Sequence, residues 1–91
     1  MNYTVVWLPV AEQQLADIWL ASSQRQAVSA AVREIDDELG RHPLEIGESR
    51  EEANRVLITR PLVTTYQVGI KDRIVRVANV RLYPNARRAG P

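Results

Sequence analysis

The strongest constraint on this 91-residue chain lies in its C-terminal part. Three runs rich in apolar and β-branched residues, Arg55–Arg60, Val63–Ile70 and Ile74–Tyr83, follow one another with only Pro61-Leu62 and Lys71-Asp72-Arg73 between them. Strands joined by so few residues fold back on each other as antiparallel hairpins, because a parallel connection needs a dozen residues or more. That region is therefore a meander, and the preceding residues must cover one of its faces.

The N-terminal part supplies the cover. Tyr3-Thr4-Val5-Val6-Trp7-Leu8 reads as a strand that stops at Pro9, and Pro9 suits the first turn of a helix, where its missing N–H costs nothing. Ala11, Leu15, Ile18 and Trp19 then recur at helical spacing. Ser22-Ser23 interrupts them, and Ser23 with Gln26 fits a capping box opening a second helix. That helix lines up Val28, Ala31, Val32, Ile35 and Leu39 on one face and ends at Gly40 with Pro43. So short a break predicts an antiparallel helical hairpin, and residues 41–54, which lack a clear period, read as a surface connection. The expected fold is α+β in the order β-α-α-β-β-β, with the hairpin packed on one face of a twisted antiparallel sheet. One domain over 1–84 and a flexible basic tail over 85–91 complete the plan.

Charge is unevenly divided. Residues 1–54 hold ten acids against four arginines, a net of −6, while residues 55–91 hold seven arginines and Lys71 against Asp72, a net of +7. One small fold must therefore show an acidic side and a basic side, and a basic face is the footprint of a polyanion or an acidic partner. Eleven arginines to one lysine reflects a compositional bias, but bias does not explain the segregation.

Much conventional chemistry is excluded. The chain has no cysteine and one histidine, His42 beside Pro43, so neither a metal site nor a cofactor is expected. Asp36, Asp37 and Glu38 fan around a helix as a solvated face rather than pairing for acid–base work, and the four glycines are too isolated to cradle phosphate. Trp7 and Trp19 read as core residues. No apolar run approaches the roughly 20 residues that span a bilayer. The opening Met-Asn-Tyr-Thr-Val lacks the pattern of a signal peptide, so a cytoplasmic location and no membrane partner are expected.

Alternation along the strands decides which arginines act together. Thr64, Tyr66, Val68 and Ile70 should lie under the helices, leaving Val63, Thr65, Gln67 and Gly69 outward, joined by Asn79, Arg81 and Tyr83. The first strand of the meander is ambiguous; its more apolar set, Val56 and Ile58, is assigned inward, which puts Arg55 outward and Arg60 near the strand end. Arg76 shares a set with Ile74 and Val80 and is expected to be partly covered. A face bearing Arg, Asn, Gln, Thr and Tyr can hold phosphates and stack a base, and it can equally be a solvated sheet without a task. The candidate binding residues are Arg50, Arg60, Gln67, Asn79, Arg87 and Arg88.

Tyr3-Thr4-Val5-Val6-Trp7-Leu8-Pro9-Val10-Ala11-Glu12, with Leu15 and Ile18-Trp19 downstream, resembles the opening of the RelE/ParE superfamily of toxin–antitoxin toxins. So do Arg55-Val56-Leu57, then Pro61-Leu62, Tyr66-Gln67-Val68 and Ile74 through Val80. The resemblance implies a type II toxin silenced by a cognate antitoxin in a hetero-oligomer. Its target would be either the translating ribosome, where messenger RNA is cut, or DNA gyrase. On the nuclease version Arg55 and Arg81 would hold the phosphate and Tyr83 would stack or transfer a proton. The paired lysines of the RelE-like pattern are replaced by Asn54, Arg55 and Val56, and arginine is a poor general base, so weak or absent cleavage is expected. The other readings are a protein-binding module, or an RNA-binding module without catalysis, whose basic face meets an acidic or anionic partner.

Overall fold

The computed structural model describes residues 2–49 and 53–83. The elements run β1 (Thr4–Trp7), α1 (Pro9–Ala21), α2 (Arg25–Arg41), β2 (Glu48–Ser49), β3 (Arg55–Thr59), β4 (Leu62–Gly69) and β5 (Ile74–Leu82). They form one five-stranded sheet in the order β1-β5-β4-β3-β2, with both helices on one side. The expected α+β plan holds, and β3, β4 and β5 form the antiparallel meander. The sheet as a whole is mixed, because β1 lies parallel to β5. The reason is topological: the helical pair carries the chain away from β1, and the free edge left for β1 belongs to the last strand. Thr4 donates to the Arg73 carbonyl at 2.9 Å and Leu8 to that of Val77 at 2.9 Å, fixing the ends of this pair. The two-residue β2, unforeseen in the connection, adds a short edge beside β3.

Pro9 opens α1 as expected. The capping box does not form: α2 begins one residue after Gln24, whose side chain makes no cap, and Ser22 Oγ instead accepts the Gln24 N–H at 2.8 Å. At its far end α2 continues through Gly40 to Arg41 rather than stopping at the glycine. Gly40 has a packing role, passing beneath the start of β1, where its carbonyl accepts the Tyr3 N–H at 2.8 Å. Ala11, Val28, Ala31, Ile35 and Leu39 from the helices meet Leu62, Tyr66, Val75, Val77 and Val80 from the sheet in one buried core. The helical members are those that helical periodicity places together, whereas Val80 joins Val75 and Val77 against simple strand alternation.

One irregularity reassigns the faces of β5. Tyr66 pairs with Val77 while Thr65 pairs with Asn79, so Ala78 is an extra residue opposite the step from Thr65 to Tyr66. A bulge of this kind reverses the alternation beyond it. Val75 and Val77 on one side of Ala78, and Val80 on the other, therefore all point to the core, while Asn79 and Arg81 face away with Thr65 and Val63. Arg76, opposite Gln67, also lies on the helix-free face and not with Val80. In β3 the assignment is reversed: Arg55, Leu57 and Thr59 share the helix side with Tyr66, Thr64 and Leu62, and Val56 and Ile58 lie on the open face. The apolar pair was the wrong guide, because Arg55 has buried polar partners waiting on the helix side.

Beyond Trp7 the free edge of β5 has no strand beside it. Gln14 from α1 takes that place: its Oε1 accepts the Val80 N–H at 2.8 Å and its Nε2 donates to Asn79 Oδ1 at 3.0 Å. Among the described residues no helix is long and apolar enough to cross a membrane.

Candidate binding site on the helix-free sheet face

The expected basic face exists, but at one end of the sheet. At the turn between β3 and β4, which contains the cis Arg60-Pro61 peptide, the Tyr83 N–H donates to the Pro61 carbonyl at 2.7 Å. This extends the β4–β5 ladder past Leu82 and brings Tyr83 under the Arg60 guanidinium, 4.4 Å from the ring centroid. A cation over an aromatic face at that distance is held by the ring quadrupole and keeps its charge available to solvent. Arg81, two residues before Tyr83, is exposed and makes no hydrogen bond or ion pair among the described residues. Between them lies apolar ground: Val63, paired to both Ile58 and Arg81, is 4% exposed, and Ile58 is 52% exposed. Arg60, Arg81 and Tyr83 are thus brought together around a small apolar patch.

Arg55 is not part of this group, which corrects the sequence assignment. Its side chain turns to the opposite face and is used up there. It donates to Ser49 Oγ at 2.9 Å, to the Leu44 carbonyl at 3.0 Å, to the Ile46 carbonyl at 3.1 Å and more weakly to Tyr66 Oη at 3.4 Å. The same tyrosine hydroxyl lies 2.9 Å from the carbonyls of Pro43 and of Ile46. Burial pushes the Tyr66 phenol above its ordinary range, and the nearby guanidinium only partly opposes that. Gly47 completes the arrangement with φ of 73°; a Cβ there would sit 2.7 Å from Tyr66 Oη and 2.8 Å from the Val56 carbonyl, so only glycine fits. Arg55 therefore fastens the connection after α2 onto the sheet.

The remaining candidates divide. Gln67 lies on the open face and donates to Asn54 Oδ1 at 2.8 Å, while Asn79 is held by Gln14. Arg76 is also on that face but is neutralised by Asp72 at 3.2 Å. Arg50, Arg87 and Arg88 lie outside the described residues. The arrangement can bind an anion through Arg60 and Arg81 and present an aromatic ring beside them. Among the described residues its charged groups are arginines, which donate hydrogen bonds and have no accepting atom.

A second feature was missed in the sequence. Trp19 is not core: it is 40% exposed and, with Trp7, Leu15, Leu20, Val28 and Val32, lines an open groove of about 650 Å³ between α1 and α2. The signal was present in the adjacent Trp19-Leu20, since two large apolar residues in succession at a helix end cannot both face the same core.

No protein-family model and no curated protein matches the chain. Its fold, however, is shared with several solved structures. The toxin–antitoxin complex RelBE2 from Mycobacterium tuberculosis includes a chain that superposes with a TM-score of 0.73 at 23% identity, covering 90% of this chain and 99% of that one. In the chromosomal ParDE system of P. aeruginosa the values are 0.67 and 15%, covering 91% and 98%. A mutant of the E. coli toxin RelE in the free state, with two arginines changed to alanine, gives 0.64 and 18%, covering 99% and 88%. Over most of its length the chain shares the fold of these toxin structures.

Proposed function

We propose that this chain, built on the RelE/ParE toxin fold, is the toxin of a type II toxin–antitoxin pair, held silent by a cognate antitoxin, and that it acts by binding its target rather than by cutting RNA. The observation that carries this reading is the end of the helix-free face. There Arg81 is exposed and, among the described residues, makes no ion pair beside the Arg60–Tyr83 stack. Two unneutralised cations and an aromatic ring around exposed Ile58 suit an acidic protein surface or a nucleic-acid backbone. Arg55, which a phosphate-holding role would need there, is committed to the opposite face. With Arg55 turned away and the charged groups at this end, among the described residues, confined to arginines, the site favours binding over general-base chemistry. DNA gyrase and the ribosome are the two targets this reading leaves to experiment.

Inducible expression in a bacterial host, with translation and DNA supercoiling followed in parallel, tests the reading. Growth arrest is expected from the wild-type chain, and Arg60→Ala with Arg81→Ala should relieve it while leaving capture of the antitoxin from the adjacent reading frame intact. Primer extension on ribosomes should show no codon-specific cuts; cuts that vanish in the double variant would instead establish a nuclease. Absence of growth arrest from a folded chain would remove the toxin reading.

A further inference from the structure

A second hollow, of about 500 Å³, runs along the N-terminal half of α2 beside Trp19. It is lined by Trp19, Arg25, Gln26, Ser29, Ala30 and Arg33, so its walls hold two cations and no carboxylate. Arg25, Ser29 and Arg33 follow at four-residue spacing, which brings them to one side of the helix. Arg25 is already fixed in place. Its Nε donates to the Trp19 carbonyl at 2.9 Å, its Nη2 to the Leu20 carbonyl at 2.8 Å, and its guanidinium lies 4.8 Å from the Trp19 ring centroid. That leaves Nη1 as a donor on a side chain that a ligand no longer has to order. Ser29 Oγ accepts from Trp19 Nε1 at 3.3 Å and keeps its own proton to give. Arg33 is exposed and makes no ion pair among the described residues. The acids one turn beyond it are engaged elsewhere, Asp36 by Trp7 Nε1 at 2.7 Å and Asp37 by Arg41 at 2.6 Å.

We propose that this hollow binds a ligand carrying two neighbouring phosphate groups, held by Arg25, Ser29 and Arg33. Such a ligand is either a nucleoside diphosphate or two successive phosphates of a nucleic-acid strand. Arg25 and Arg33 are eight positions apart, about 12 Å at the rise of an α-helix, so an anion with two charged centres engages both guanidiniums where a lone carboxylate engages one. The Arg33 guanidinium is free to bond phosphate oxygens in pairs, and the Ser29 hydroxyl adds a neutral donor between the two cations. The hollow is larger than phosphate alone requires and has the size of a small-molecule site. Trp19, 40% exposed, supplies an aromatic wall for the organic part of the ligand. The site is built from α1 and α2 alone, shares no residue with Arg60, Arg81 and Tyr83, and does not depend on the toxin reading.

Titration of the full chain with inorganic pyrophosphate, with ADP and with a trinucleotide that has two phosphodiester groups tests it, read by tryptophan fluorescence and calorimetry. Pyrophosphate should saturate the chain, with an affinity that falls as salt rises. Tighter binding of ADP assigns the site to a free nucleotide, and tighter binding of the trinucleotide assigns it to a strand. Arg33→Ala, a change at an exposed position without an ion pair, should weaken all three about tenfold or more and leave thermal unfolding in place. Arg33→Lys should recover only part of that loss. The Arg60→Ala, Arg81→Ala double variant should bind pyrophosphate as the wild type does. Failure of pyrophosphate to saturate, or an affinity unchanged in Arg33→Ala, overturns the proposal. So does a loss confined to the double variant, or equally tight binding of adenosine or of a tetraglutamate peptide.

Discussion

Arg55 and Tyr66 show how much a single residue's surroundings decide. Arginine with four acceptors in reach, two of them backbone carbonyls of a connection that lacks its own ladder, is a structural donor whatever its charge suggests. Tyr66→Phe removes the hydroxyl from the Pro43 and Ile46 carbonyls and from Arg55, and should cost about 1–2 kcal/mol in urea unfolding. The pH dependence has a definite sign. The phenol's folded-state pKa is raised above 10.0 by burial, so the hydroxyl's contribution is present at neutral pH and is lost as the pH rises beyond that value, where the unfolded chain ionises first. Wild type should therefore lose stability in alkali more steeply than Tyr66→Phe; parallel alkaline slopes would show that the hydroxyl is not held as described.

At the scale of elements, the sequence spoke clearly where periodicity was uninterrupted. Val28, Ala31, Ile35 and Leu39 repeat at helical spacing and all four are buried. The meander was legible because its turns are too short to allow anything else. What escaped was set by partners distant in the chain. The bulge at Ala78 leaves no local mark, and the reversal of β3 depends on carbonyls that only the folded connection supplies. The parallel edge formed by β1 requires knowing which strand ends with a free side. The start of α2 is another such case. It lacks a side-chain cap and carries no acid in its first turn, so its exposed N–H groups rely on solvent and on the Ser22 turn. Gln24→Asp should supply both a cap and a favourable charge, stabilising the chain by about 0.5–1 kcal/mol in thermal unfolding. An unchanged or lower melting temperature would mean that the turn before α2 cannot present the carboxylate.

Over the whole molecule, the division of charge seen in the sequence becomes a division of surfaces. Asp36 and Asp37 lie on α2, with Arg41 already spent on Asp37 at 2.6 Å, while at the end of the sheet Arg60 and Arg81 make no ion pair among the described residues. Of the residues singled out from the sequence, Arg60, Arg81 and Tyr83 converge, and the site is smaller than composition implied because Arg55 and Arg76 are occupied elsewhere. Target binding through this end should therefore weaken with salt and lose most of its salt dependence in the Arg60→Ala, Arg81→Ala double variant. Gln14 carries a different consequence. By answering the Val80 N–H it closes the stretch of β5 that β1 is too short to reach, and so denies a neighbouring molecule a strand to copy. Gln14→Ala should leave the fold intact yet lower the concentration at which light scattering reports self-association, making one glutamine on a helix a guard of the protein's colloidal stability.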